Sequence, residues 1–330
     1  MTVQANEMAS GVTQLILDKW HDGLAFTTPM WDMAVKGEGR EKETGGTFLQ
    51  FPIKLIPNVT QGFIAGSGGN VGVTPSVQNQ WGYLNWKYVY WASNFTLADM
   101  TIANGEQDKI KILAKKIKGA MGDAARLMAY ATFNGSGSNA LAFEGLADVG
   151  AASGTAYASL TDTDYSEATA YLPYISTATV ISYSNIVEII NKIKGRIQQS
   201  EYNPERIFGL MNDGVFSKFQ AAVQNAQMFI DKKDLYSVGF QGFRVNSVEF
   251  YQDAYCQGTN TASSTNNYLW VVPMDVMKFH YKFGFDVASP FDTEELRIPD
   301  QAIVTTQKFI AGNWVCTNRR LIGVCKTLTL

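Results

Sequence analysis

Between Asn104 and Asn134 apolar side chains return every third or fourth position, at Ile110, Leu113, Ala114, Ile117, Met121, Ala124 and Met128. That spacing stacks them along one side of an α-helix. The run predicts one helix about 45 Å long, a beam along which other parts of the chain are hung. Asn104 is suited to cap it, and Glu106 and Asp108 place carboxylates in the first turn, where they favour the helix dipole. The polar side carries Lys109, Lys111, Lys115, Lys116 and Lys118. These lysines read first as a solvated face and second as a surface toward packaged polyanion.

Ahead of the helix the period changes to two. Leu49, Phe51, Ile53 and Leu55 alternate with Gln50 and Lys54, which predicts a strand, and Pro52 marks an edge or bulge because it donates no ladder hydrogen bond. From Tyr83 to Thr96 a second strand is expected, with Leu84, Trp86, Tyr88 and Tyr90 on one face and Asn85, Lys87, Val89 and Trp91 on the other. The glycine-rich segment 61–82 joins them into a long hairpin. A lone hairpin with apolar side chains on both faces is marginal in water and needs a cover, for which a neighbouring copy of the chain is the economical candidate and the body of its own subunit the alternative. Its Gly66 to Gly72 run lacks the lysine ending and following helix of a phosphate cradle. Residues 1–44 scatter apolar positions, among them Phe26, Met30, Trp31 and Met33, without a period, as a strap or arm would.

After the helix, Gly135 to Ser138 forms a stop and Phe143 to Val149 a short apolar return. Residues 150–179 have weak periodicity and read as a long surface excursion. Ser184 is placed to cap a second helix with Ile186, Ile190, Ile193 and Ile197 on its buried stripe, ended at Tyr202-Asn-Pro204. A strand at Arg206 to Met211, a turn at Asn212-Asp-Gly214 and a helix at Val215 to Val223 then form a layered α/β unit. Further strands are expected at Phe240 to Gln252 and Tyr268 to Phe285, separated by a polar loop at Gly258 to Asn267. The end, Ile303 to Leu330, reads as two strands turning at Ala311-Gly-Asn313.

With 46% hydrophobic residues in 330, the chain can bury a sizeable core and about two domains. Its net charge of -3, without long blocks of one sign, argues against a dedicated duplex-DNA reader but leaves room for non-specific contact. Cys256, Cys316 and Cys325 fit no metal or disulfide spacing and are expected as buried, reduced thiols. The first twenty residues lack the basic start and continuous apolar run of an export signal or membrane anchor, so synthesis in a cytoplasm and no membrane partner are expected. The two histidines, His21 and His280, read as structural, and no nucleophile elbow, metal-binding helix or dinucleotide fingerprint is present. The acidic pairs at Asp162 and Asp164 and at Asp292 to Glu295 read as solvated loop carboxylates. Neither an enzyme nor a cofactor is expected.

The order of these parts, with Phe143-Glu-Gly-Leu146, Tyr202-Asn-Pro-Glu-Arg-Ile207, Tyr268-Leu-Trp-Val-Val272, Met274-Asp-Val276 and Gly312-Asn-Trp-Val-Cys-Thr-Asn-Arg-Arg320, resembles the major capsid proteins of tailed double-stranded DNA bacteriophages with the HK97-type fold. The resemblance implies an α+β fold. Residues 1–44 would be an N-terminal arm, 45–97 an extended loop, 98–150 a peripheral domain with its spine helix, and 180–288 an α/β axial domain. Residues 289–330 would be return strands of the peripheral domain. It implies assembly of hexamers and pentamers into an icosahedral shell around the genome, in the virion, with scaffolding, portal and decoration proteins as partners. Candidate contacts between subunits are then Trp31, Phe51, Trp81, Trp86, Tyr88 and Trp91, and the spine-helix lysines are candidates to face the lumen. Truncating Trp86 or Trp91 is expected to impair shell formation more than folding. The alternatives are an encapsulin-like compartment and a secreted carbohydrate-binding protein.

Overall fold

The computed structural model describes residues 28–35, 39–54, 79–96, 99, 106–135, 139–150, 156–160, 179–199, 207–225, 242–245, 248–256, 267–283, 294–297 and 303–329. The expectations for the hairpin tip, the Asn104 cap, the Tyr202 stop, the polar loop after Gly258, His21, Phe26, Leu55, Asp162, Asp164 and Asp292 lie outside these residues.

The 3.6-residue stripe forms the predicted helix. We number the elements in chain order: α1 Pro29–Val35, β1 Arg40–Lys42, β2 Phe48–Lys54, β3 Asn79–Asn85, β4 Lys87–Thr96 and α2 Glu106–Asn134. Leu113, Ile117, Met121, Ala124 and Met128 are buried along α2. The helix stops at Gly135, whose φ of 63° is the left-handed conformation that glycine adopts without strain. Phe143, Leu146 and Val149 are then buried at the short helix α3, Leu146–Val149.

The following unit contains β5 Thr179–Val180, α4 Tyr183–Gln199, β6 Ile207–Met211, α5 Asp213–Asn225, β7 Gly242–Val245, β8 Val248–Gln252 and β9 Asn267–Pro273. The chain continues through β10 Met277–Phe283, β11 Glu294–Arg297, β12 Ile303–Cys316 and β13 Gly323–Thr329. A six-stranded sheet has the order β5-β13-β9-β6-β8-β7, and a five-stranded sheet the order β1-β10-β12-β11 with β4 also on β12. The pair β2-β3 stands apart as a two-stranded sheet. The chain passes from the larger sheet to the five-stranded one between β9 and β10 and returns between β12 and β13. The two crossings are tied where the Thr317 N–H donates to the Val276 carbonyl at 3.0 Å.

Several expectations are corrected here. Ala311-Gly-Asn313 is the interior of β12, which runs for 14 residues. Gly312 serves a close approach, since a Cβ there would lie 2.5 Å from the Phe279 ring. The real turn is the 3₁₀ segment Arg319–Leu321, and β13 beyond it joins the six-stranded sheet, antiparallel to β9. Residues 289–330 therefore supply both sheets. Helix α4 is capped by Ser182, whose hydroxyl accepts the Asn185 N–H at 3.3 Å, and not by Ser184. Asn212 is an N-cap, its side-chain oxygen accepting the Val215 N–H at 2.9 Å. Glu294 and Glu295 belong to β11, paired with Gln307 and Thr306. The excursion includes an inward turn: Tyr157 and Ala158 are buried, and Ala158 and Ser159 hold positive φ values of 53° and 65°. Its Ala158 carbonyl accepts the Tyr83 N–H at 3.0 Å, docking the turn on β3.

The N-terminal strap is core from Thr28 to Ala34, whereas Glu41 and Lys42 of β1 are exposed. Trp31 is fully buried, its ring 4.8 Å from Phe279 and 5.0 Å from Trp314. Trp314 in turn donates its indole N–H to Thr132 of α2 at 3.1 Å, so one cluster joins α1, β10, β12 and the long helix. Next to it, buried Asn313 donates to the Asn85 carbonyl at 3.1 Å and accepts the N–H groups of Glu144 at 2.8 Å and Trp314 at 2.9 Å. Asn313→Ala takes the partner from one carbonyl and two N–H groups at this partly buried junction, and should lower the unfolding free energy by about 2–4 kcal/mol in chemical denaturation. An unchanged midpoint would show that these bonds do not hold the junction.

Candidate functional site

A strand that leaves one ladder for another has to reset which of its side chains face inward. This happens at Trp86, between β3 and β4. On β3 the even positions Gly82 and Leu84 are buried, as is Trp86, whereas on β4 the odd positions Val89, Trp91, Ser93 and Phe95 are buried. The expectation that Trp86, Tyr88 and Tyr90 share one face with Leu84 is therefore corrected. The Asn313 amide holds the Asn85 carbonyl at this break, and the Trp86 indole N–H donates to the Gly46 carbonyl at 3.1 Å. Lys87, beside the break, donates to the Ala140 carbonyl and lies 3.9 Å from Glu144, whose carboxyl burial pushes up while Lys87 pulls it back.

The reset divides the predicted contact residues. Trp31, Phe51, Trp86 and Trp91 are 8% exposed or less, so they spend their apolar surface inside the chain and belong to its core. Trp81 at 53% and Tyr88 at 58% face outward. Sequence reasoning missed their companions. Tyr90 is 66% exposed, with Phe309 of the neighbouring strand 6.2 Å away between ring centroids. Phe48 and Tyr83 are likewise exposed on the outer face of the hairpin. The register places Tyr88 opposite Ala311, Tyr90 opposite Phe309 and Ala92 opposite Gln307, which makes a strip with little charge on the five-stranded sheet. The available signal was the pair Asn85 and Lys87 flanking Trp86, which interrupts an otherwise continuous aromatic run.

Hairpin and body are in close contact at the base. A Cβ on Gly82 would come within 2.6 Å of Ile53 and 3.0 Å of Ala158, so glycine lets the inward turn reach the hairpin. The hairpin is thus secured to its own subunit at this end. The outer edges of β2 and β3 carry no further strand among the described residues, and Pro52 sits on one of them as its missing N–H requires.

The lysines of α2 are not equivalent. Lys111, Lys115 and Lys118 are exposed and Lys109 is partly covered. Lys111 lies 3.5 Å from Asp108 in the same helix. Lys116 instead donates to Asp99 and to the Asn94 carbonyl, tying the helix to the end of β4. Its hydrogen bond, with those from the Thr96 N–H and hydroxyl, holds the Asp99 carboxyl down to about 2. The tie is therefore fully present above the ordinary value of 3.8 and is lost as pH falls through about 2. His280 is engaged with Glu43 at 2.9 Å. The three cysteines are buried free thiols, and burial pushes Cys316 up to about 12. Among the described residues no cluster of potential metal ligands occurs, and no helix is long and apolar enough to cross a membrane.

No protein-family model matches the sequence, and no curated protein matches it. Solved structures do match. The chain is similar to a protein of the cyanophage A-1(L) capsid, with a TM-score of 0.61 and 12% identity over 88% of this chain and 90% of that one. It is similar to a chain of the capsid of a native GTA particle, with a TM-score of 0.55 and 14% identity over 88% of each chain. A third likeness is to the SrpI encapsulin complex of Synechococcus elongatus PCC 7942, with a TM-score of 0.53 and 8% identity over 92% of this chain and 89% of that one. The chain therefore has the mixed α+β fold of HK97-like capsid and encapsulin shells.

The division between inward and outward aromatics is testable in the isolated subunit. Trp91→Ala should cost about 3–5 kcal/mol of stability. A double Tyr88→Ser, Tyr90→Ser variant should stay within about 1 kcal/mol of the parent. Equal losses for the two, measured by equilibrium unfolding, would contradict the placement of the strand reset at Trp86.

Proposed function

We propose that the chain is a non-enzymatic major capsid protein, which assembles in many copies into an icosahedral shell around a phage-type double-stranded DNA genome. The observation that carries this reading is a set of outward aromatic side chains, Trp81 and Tyr83 on the hairpin and Tyr88 and Tyr90 on β4, on a fold shared with solved capsid structures. A two-stranded hairpin with aromatic side chains on its outer face gains stability when a neighbour covers it, and closed symmetry lets every copy be covered in the same way.

In this reading residues 1–44 are the arm, 45–97 the extended loop, 98–150 the peripheral domain with α2 as its spine, and 180–288 the axial domain. The peripheral domain is completed by β11 and β12, while β13 belongs to the axial sheet. Hexamers and pentamers of the chain form the shell, with separate scaffolding, portal and decoration proteins as partners and the virion as its location. Lys109, Lys111, Lys115 and Lys118 are the lysines offered to the packaged DNA, as non-specific charge, whereas Lys116 is used within the subunit. The encapsulin likeness favours one second reading, a compartment that holds a protein cargo.

Particles purified from cells expressing the chain and viewed by negative-stain microscopy decide the matter. Closed shells of uniform size are expected, and nuclease-protected DNA inside native particles distinguishes the genome shell from a cargo compartment. Subunits that remain monomeric at every concentration would contradict both.

A further inference from the structure

The carboxyl ends of β6 and β8 are closed by a turn whose first residue is a buried acid. Asp253 is 1% exposed. Its N–H donates to the Met211 carbonyl at 2.9 Å, and its own carbonyl accepts the Cys256 N–H at 3.3 Å. Cys256, also buried, points its thiol at the carbonyls of Leu210, 3.8 Å away, and Tyr268, 3.7 Å away. The turn thus bridges three strands of the six-stranded sheet. One carboxylate oxygen of Asp253 accepts the Tyr255 N–H at 2.9 Å, while the other is buried without a hydrogen-bond partner among the described residues.

Among the described residues the surroundings supply no cation. Within the turn the titratable groups are Tyr255 and Cys256. On β8 the side-chain amide of Gln252 is given to Asp213, at the start of α5, at 2.9 Å. On the β6 side the amide of Asn212 is given to Asn267 of β9 at 3.1 Å, and Tyr268 follows on β9. An ionised carboxylate in such a place has an oxygen that water would hydrate and the fold does not, which is costly. It has two ways out: to hold a proton, or to open the turn to water.

We propose that the Asp253 turn is a proton-operated latch on the six-stranded sheet, closed while the carboxyl carries its proton and loosened when the carboxyl ionises. Burial, opposed by the Tyr255 bond, pushes the carboxyl up from 3.8 to about 7. Between those values the folded chain binds more protons than the unfolded chain, so stability falls as pH rises and the loss is complete only above about 7. The latch is a property of the folded subunit, and its test is independent of whether the subunit builds shells.

Hydrogen exchange of the peptide spanning residues 250–256, in the full-length chain at pH 5.5 and 8.5, reads the latch once intrinsic exchange rates are divided out. The parent should lose protection by about 10- to 100-fold at the higher pH, and Asp253→Asn, which cannot ionise, should be equally protected at both. A parent with no pH dependence, or a variant that keeps the parent's dependence, overturns the proposal. If Asp253→Asn does not fold, carboxyl carbon NMR of the parent decides: a titration midpoint near 7 supports the latch and one near the ordinary 3.8 overturns it.

Discussion

A peptide group taken out of water must find a partner inside the protein, and the constraint is sharpest where a strand changes sheets. At the junction of β3 and β4 the chain leaves a two-stranded ladder for a five-stranded one, and the backbone between them belongs to neither. Asn313 satisfies it. One amide side chain serves the carbonyl before the break, the N–H of Glu144 after the long helix, and the N–H of its own neighbour. Because Trp314 beside it seats α1 and α2, the middle of β12 joins hairpin, helix and sheet. This residue pair is one of the ties between the hairpin and the body, beside the bond from the Tyr83 N–H to the Ala158 carbonyl.

A fixed direction matters for a part that is weakly supported by itself. The hairpin base is secured by the inward turn at Tyr157 to Leu160, where two residues without the freedom of glycine hold positive φ. Such strain persists when surrounding bonds over-determine it, and here the Tyr83 N–H and the approach at Gly82 do so. The described strands of the hairpin bury Leu49, Phe51, Ile53 and Leu84 and leave Phe48, Trp81 and Tyr83 exposed. After the reset of the inward face at Trp86, Tyr88 and Tyr90 of β4 face outward, Tyr90 beside Phe309 of β12. The Lys116 to Asp99 tie fixes the opposite end of β4 to the helix.

What could be read from the sequence follows from the range of the forces involved. The stripe on α2, the alternation on β2 and the all-buried run of β6 are local patterns with a fixed period, and each appears as expected. The face of β4 was not legible, because its phase is set by Asn313, 228 residues from Asn85 in sequence. Gly312 suggested a turn by local preference, yet it is an extended position kept open for the Phe279 ring, which only the packed sheet reveals. Ser182 and Ser184 offer the same hydroxyl, and the choice between them depends on where β5 hands the chain to the helix. For the candidate surface, residue type alone pointed to Trp81 and Tyr88 and equally to Trp31, Phe51, Trp86 and Trp91. Burial separated the two groups, and the bonds to Asp99 and the Asn94 carbonyl set Lys116 apart from the other lysines of the helix.

The aromatic residues divide into those buried in the subunit and those exposed on it, and in the proposed shell the exposed set meets the neighbouring copies. Hydroxyl-radical footprinting of disassembled subunits and of assembled particles compares the two groups in a single measurement. Trp81, Tyr83, Tyr88 and Tyr90 should react in the subunit and become protected in the particle, while Trp31 and Trp314 should be unreactive in both. Aromatics on the strip that react to the same extent before and after assembly would contradict the central claim that this surface joins one copy to the next.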